Sequence, residues 1–235
     1  MTGRILDTEA DLAEGVAWLR TADPRLAPAL ALPLPLRRRP GGYRELLWAV
    51  TGQQLSTASA AACWARIEAA GFDQPMRVAG ASEETLRAAG FSRQKARYAR
   101  ALAAAEIDYP GLAELPDAEV VAILTAVPGI GRWTAEIYLA FSLGRADVLP
   151  AGDLALQEAA RHLLGYDARP SERDLRAIAA AWSPWRGVAA RALWAYYRVV
   201  TNREGPDEPG TAIQTSPAGL RRGEIGGCVP ARLRR

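Results

Sequence analysis

The run Val127-Pro128-Gly129-Ile130-Gly131-Arg132-Trp133-Thr134-Ala135, with Asp153 twenty residues beyond Trp133, gathers the residues best suited to chemistry. Glycines at 129 and 131, behind a proline, allow a tight turn and a close approach to a partner. A helix that starts just after such a turn presents free N–H groups, and its dipole adds positive potential. The turn is therefore a natural cradle for a phosphate. The same pattern also serves plain chain reversal. Asp153, in Leu149-Pro150-Ala151-Gly152-Asp153-Leu154, precedes another helical stretch, where a carboxylate acts as an N-cap. An anion fixed in that place can also stabilise a developing glycosyl cation, and Gly152 lets the loop approach a ligand closely.

Three aromatics are candidates to complete such a site: Trp133, Tyr138 and Trp185. Tryptophan at helical spacing usually belongs to a core, and Trp182 and Trp194 are read that way. Trp133 and Trp185 instead stand at element starts, where a side chain is expected to project from the core edge. An indole face attracts a flat cation by about 0.5–2 kcal/mol once water is excluded, and a purine alkylated at a ring nitrogen is such a cation. Gly52-Gln53-Gln54-Leu55-Ser56 joins two helical stretches. It reads either as a polar interhelix turn or as a wedge pushed into a base stack that a nucleotide has left.

The elements that must position these residues are helical throughout. Strand signals are almost absent, and alanine, leucine and arginine recur at helical spacing between caps and stops. Helices are expected over residues 7–21, 43–51, from the Ser56 cap to Gly71, from Ser82 to Gly90 and from Ser92 to about 105. Further helices are expected over 117–126, from the glycine turn to Gly144, over 154–164, from Ser171 to Trp182 and over 185–201. The fold class is all-α, a compact multi-helix bundle. It divides into an N-terminal helix and proline-rich segment (1–40), the main domain (41–201) and a tail (202–235) whose glycine, proline, serine and arginine content predicts disorder.

Composition narrows the chemistry. Two cysteines, Cys63 and Cys228, cannot form a four-cysteine metal or iron–sulfur site, and one histidine, His162, removes most metal-hydrolase and Ser-His-Asp schemes. No apolar run approaches the roughly 18 residues that span a membrane, so a soluble, cytoplasmic protein is expected. Residues 203–235 carry six arginines against four acids, which accounts for two of the three net positive charges. Net charge thus makes no case for nucleic acid, although Arg37-Arg38-Arg39 and the arginines and Lys95 of residues 93–100 form local basic clusters. Each cluster reads equally well as a solvated face. Lys95 is the single lysine of the chain.

Taken together, the Pro-Gly-Ile-Gly-Arg-Trp-Thr-Ala turn with its trailing aspartate resembles the helix-hairpin-helix, Gly-Pro-Asp superfamily of DNA glycosylases. The closer resemblance is to its alkylpurine branch, DNA-3-methyladenine glycosylase II. It covers residues 36–200, with the Gly-Gln-Gln-Leu-Ser turn and the Trp-Ser-Pro-Trp-Arg corner matching in order. The resemblance implies that Asp153 is the catalytic aspartate and that Trp133 and Trp185 line the base pocket, with Ile137 where a pocket tyrosine can occur. It implies that Gly129, Gly131 and Thr134 hold a DNA phosphate. It also implies that the carbonyls of Thr125, Val127 and Ile130 hold a sodium or potassium ion, and that Gln54, or its neighbour Leu55, intercalates.

In the lyase branch a lysine stands where this chain has Trp133, so the resemblance implies a monofunctional enzyme without strand cleavage, cofactor or iron–sulfur cluster. Its partner would be double-stranded DNA carrying damaged bases. A monomer is expected, nucleoid-associated if the source is bacterial. Two other readings stand beside this one: a glycosylase for other damaged or mismatched bases, and a non-catalytic helix-hairpin-helix DNA-binding module.

Overall fold

The computed structural model describes residues 3–201; the tail expected over 202–235 lies outside the described residues. Its elements follow in order: α1 (Glu9–Ala22), a 3-10 turn (Pro24–Leu26), α2 (Ala27–Leu30), α3 (Gly42–Gly52), α4 (Thr57–Ala69), α5 (Pro75–Gly80), α6 (Glu83–Ala88) and α7 (Arg93–Ala104). After a second 3-10 turn (Gly111–Glu114) come α8 (Asp117–Thr125), α9 (Arg132–Phe141), α10 (Leu154–Leu164), α11 (Glu172–Ile178), a third 3-10 turn (Ala179–Trp182) and α12 (Arg186–Thr201). Among the described residues there is no strand, only an antiparallel bridge between Ile5 and Arg145.

Serine hydroxyls start the helices where the sequence places them. Ser56, Ser82, Ser92 and Ser171 each accept the N–H three residues on, at 3.1–3.3 Å, the geometry that satisfies a donor the first turn leaves open. Several expectations differ: the short α2 was not expected, and α11 passes into a 3-10 turn at Ala179 before Trp182. Helix α9 stops at Phe141 rather than Gly144, because the Tyr138 carbonyl takes both the Ser142 and Leu143 N–H groups and the last turn unwinds. Helix α5, with Pro75 in its first turn, was not expected, since proline and glycine punctuate that stretch.

Helix α12 is the hub, packing against α1, α2 and α10. Small residues let the axes approach: a Cβ added at Gly15 would lie 2.7 Å from Val188 and 2.8 Å from the Trp185 ring. Trp182 is wholly buried, and its indole N–H donates to Asp23 Oδ2 at 2.9 Å. Arg25 closes both Asp23 oxygens at 2.8 Å. That guanidinium above all, with the Trp182 N–H, holds the Asp23 carboxyl below the usual carboxylate range despite its burial. A folded-state value below the unfolded one gives stability that is full above about pH 4 and is lost as pH falls through the lower folded value. In urea titrations the stability gap between the wild type and Asp23→Asn should therefore shrink below about pH 4. A gap that does not change with pH would refute the ionic account.

Candidate active site

The site is assembled from the α8–α9 hairpin, the loop into α10 and the turn between α3 and α4. Ile130 N–H donates to the Val127 carbonyl at 3.1 Å and closes the hairpin. Gly129 has φ +94°, and a Cβ there would lie 2.5 Å from Cδ2 and 2.8 Å from Cβ of Tyr98. Both facts demand glycine. Tyr98, from α7, is in turn held by Gln94, whose amide donates to its hydroxyl at 2.6 Å. Gly131 is the N-cap of α9 and supplies no side-chain cap; a Cβ built on it would meet no atom within 4 Å. The first N–H groups of α9 have no intrahelical partner and no side-chain cap, and the helix dipole lies behind them. Thr134 is almost wholly buried in that first turn.

Asp153 caps α10, Oδ1 accepting the N–H groups of Ala155 at 2.9 Å and Leu156 at 3.1 Å. Its other oxygen, Oδ2, accepts the Trp133 indole N–H at 3.0 Å. The carboxylate is only 6% exposed. Gln157, one turn along α10, donates to the Ala151 carbonyl at 2.8 Å and steadies the loop before Asp153. The hydrogen bonds occupy part of the carboxylate's accepting capacity and fix its orientation. The cap reading and the reactive-anion reading are thus compatible in one residue. Trp133 is half-buried, its edge spent on Asp153 and its face partly open, and half-buried Ile137 follows one turn later on the same face.

Two expected pocket aromatics are committed elsewhere. Trp185 is 2% exposed, with the Arg4 guanidinium 4.7 Å above its ring and Gly15 of α1 against it. It does not project from the core edge, because Gly15 of α1 leaves room for the ring against the core and Arg4 covers it. Tyr138 is buried as well, its hydroxyl accepting the Gly42 N–H at 2.8 Å, and burial pushes the phenol up. It ties α9 to the start of α3.

In the turn after α3, Gln54 is exposed with φ +60° and Leu55 is 41% exposed. A left-handed glutamine is a strained conformation that the surroundings must hold. They do so through a residue the sequence reading passed over: Gln53 sends its side-chain amide 3.0 Å to the Gly129 carbonyl, joining the turn to the hairpin. Its neighbour in the same motif had drawn the attention. Lys95 donates to the Thr51 carbonyl at 2.6 Å and the Gln53 carbonyl at 2.9 Å, so the single lysine is engaged there. The basic clusters are partly structural too: Arg100 donates to the Ala81 carbonyl and Arg39 stacks 5.4 Å from the Phe141 ring centre.

A cleft of about 270 Å³ opens beside α9, yet neither Trp133 nor Asp153 lines it. Its charges are matched internally: Glu136 takes Arg132 and Arg176, Asp147 takes Arg186, and Asp117 takes Arg145. It offers a ligand no uncommitted charge and is a structural network. No group of three or more potential metal ligands from His, Cys, Asp and Glu occurs among the described residues. None of their helices is long and apolar enough to cross a membrane.

A glycine turn between two helices, with a buried carboxylate held by the indole at the head of the second one, is the architecture of a helix-hairpin-helix protein. The chain belongs to the HhH-GPD superfamily of base excision DNA repair proteins, whose family model matches residues 47–184. It is 35% identical to DNA-3-methyladenine glycosylase 1 of Schizosaccharomyces pombe over 161 residues, which cover 65% of this chain and 71% of that one. Its fold is similar to that of a DNA-3-methyladenine glycosidase from Bacillus halodurans, with TM-score 0.70 and 30% identity over 87% of this chain and 96% of the other. It is also similar to the S. pombe 3-methyladenine DNA glycosylase Mag1 in complex with abasic DNA, with TM-score 0.65, 28% identity and coverages of 81% and 97%. The resemblance read from the sequence motifs is thereby borne out.

Proposed function

We propose that this chain is a monofunctional DNA glycosylase of the 3-methyladenine branch, which extrudes alkylated purines from double-stranded DNA and hydrolyses their N-glycosidic bond in base excision repair. The observation that carries the reading is the Asp153 carboxylate, fixed by two backbone N–H groups and by the indole of Trp133. A pure binding module needs neither that acid nor a half-open indole beside it. The names of the relatives, 3-methyladenine glycosylases from two organisms, support the same chemistry.

The α9 N-terminus, with the N–H groups around Gly131 and Thr134, takes a backbone phosphate, and Gln54 or Leu55 enters the stack. Extrusion costs a few kcal/mol, less where pairing is already damaged, which gives part of the selectivity. The face of Trp133, with Ile137 beside it, takes the flat cationic base. Because the base is already positive, the bond electrons leave with it and it departs neutral, without an acid. Asp153 stabilises the oxocarbenium-like sugar and orients the attacking water, whose proton it takes as C1′ closes. Its part parallels the second carboxylate of a glycosidase.

No cofactor enters this scheme. A sodium or potassium ion on the carbonyls of Thr125, Val127 and Ile130 would add positive charge under the phosphate. Thr125 ends α8, where carbonyls lack helical donors, and the set contains only oxygen, as a hard cation requires. Trp133 at the position of the lyase lysine, and Lys95 spent on two carbonyls, favour hydrolysis over Schiff-base chemistry. We also propose that the protein acts as a cytoplasmic monomer.

The test is base release from methylated duplex DNA, followed by chromatography, with a parallel gel run without alkali. Free 3-methyladenine and an intact strand are expected. Nicking without added base would overturn the monofunctional reading, and bound DNA without released base would overturn the alkylpurine one.

A further inference from the structure

The wedge turn and the phosphate hairpin belong to separate stretches of chain, yet a chain of polar contacts makes them one body. Gln53 reaches the Gly129 carbonyl across 76 residues of sequence. Lys95, from α7, clamps the other side of the same turn by bridging the Thr51 and Gln53 carbonyls at 2.6 and 2.9 Å. The same helix supplies Tyr98, whose ring fills the space below Gly129. Lys95 and Tyr98 lie three residues apart and so share a face of α7. That one face thus sets the distance between the two parts that must act on DNA together.

The clamp also explains how Gln54 is kept at φ +60°. Carbonyls at the end of α3 lack helical donors, and an ammonium there matches both their hydrogen-bonding need and the negative end of the dipole. Burial pulls the Lys95 ammonium below the usual lysine value. A half-buried amine of lowered basicity is a disfavoured arrangement that two short contacts offset.

We infer that Lys95 is a positioning residue for base extrusion, holding the Gln53-Gln54-Leu55 wedge at a fixed offset from the Gly129 hairpin so that gripping the phosphate drives the wedge into the stack. The inference deepens the glycosylase reading and rests on it for the identity of wedge and hairpin. It assigns Lys95 no contact with the reacting atoms. Losing the clamp should therefore hinder extrusion and leave the chemistry of an already extruded base intact.

The experiment compares full-length wild type, Lys95→Met and Gln53→Met in single-turnover release of 7-methylguanine. One duplex pairs the lesion with cytosine; the other leaves it unpaired opposite an abasic-site analogue. On the paired substrate Lys95→Met should be slower by about tenfold or more, the worth of one charge-assisted hydrogen bond, and Gln53→Met by about fivefold, that of a neutral one. On the unpaired substrate, where extrusion is largely done beforehand, the loss should stay under about threefold. A 2-aminopurine next to the lesion reports unstacking on binding without any chemistry, and its signal should fall in both variants.

Equal losses on the two substrates would mean a general structural defect and overturn the proposal, as would full activity of both variants on the paired duplex. If Lys95→Met does not fold, Gln53→Met on the surface turn carries the same test. If the wild type releases base from neither substrate and no 3-methyladenine from methylated duplex DNA, the glycosylase reading fails. The 2-aminopurine signal then still decides whether Lys95 sets the wedge.

Discussion

Asp153→Asn is expected to lower base release by about a thousandfold or more, the scale of losing a preorganised group that meets transition-state charge in a water-poor site. The variant should fold. Asparagine is as good an N-cap as aspartate, and its carbonyl can still accept from the Ala155 and Leu156 N–H groups that Asp153 Oδ1 now takes. The other end of the amide is the weak point. Its NH2 would face the Trp133 indole N–H, now 3.0 Å from Oδ2, and two donors cannot bond. Trp133 is half-buried, so water can replace the lost partner at a cost of about 1 kcal/mol in stability. Equilibrium unfolding should show that small loss, and binding to abasic-site DNA should stay within a few-fold of wild type. Base release within tenfold of wild type would remove Asp153 from the chemistry and leave it a helix cap.

Gly129→Ala should be strongly destabilising for a single added methyl group. The added Cβ would lie 2.5 Å from Tyr98 Cδ2, and φ is +94°, outside the range alanine adopts freely. The backbone penalty is about 1–2 kcal/mol and overpacking adds about 1–3 kcal/mol. Some of that will be relieved by moving the hairpin, which misaligns the α9 N–H groups and weakens DNA binding. Repeating the substitution in a Tyr98→Ala background separates the two parts. There the ring clash is gone and only the 2.8 Å contact with the residue-98 Cβ remains, so the cost of Gly129→Ala should fall toward the backbone portion in a denaturant titration. An unchanged penalty in that background would show that Tyr98 does not confine the hairpin.

Legibility followed the range of the interaction that sets each feature. The α10 helix is found at 154–164 as read, and the serines expected to start α4, α6, α7 and α11 all do so. A cap is a contact between residues three apart, so the sequence displays both partners side by side. The glycine hairpin and the capping aspartate were legible for the same reason. Trp185 is expected to project from the core edge but is buried, because its position at an element start says nothing about direction. Arg4 and Gly15, far away in the sequence, decide that the ring points inward. Tyr138 looked free for a ligand until the Gly42 N–H took its hydroxyl. Gln53 was overlooked beside an identical residue, and only the hairpin's carbonyl distinguishes the two.

By itself, then, the sequence determined the all-helical fold of the described residues, the glycine turn, the acid at the head of α10 and the family whose motifs these are. Each depends on residue types within one or two helical turns, where covalent connectivity already limits the geometry. The tertiary structure alone decided which indole meets the carboxylate, which glutamine ties the α3–α4 turn to the hairpin and which carbonyls the single lysine holds. Those contacts join groups 20 to 76 residues apart. They exist only once helix packing has brought the partners together, and side-chain hydrogen bonds are too short-ranged to be selected before that happens.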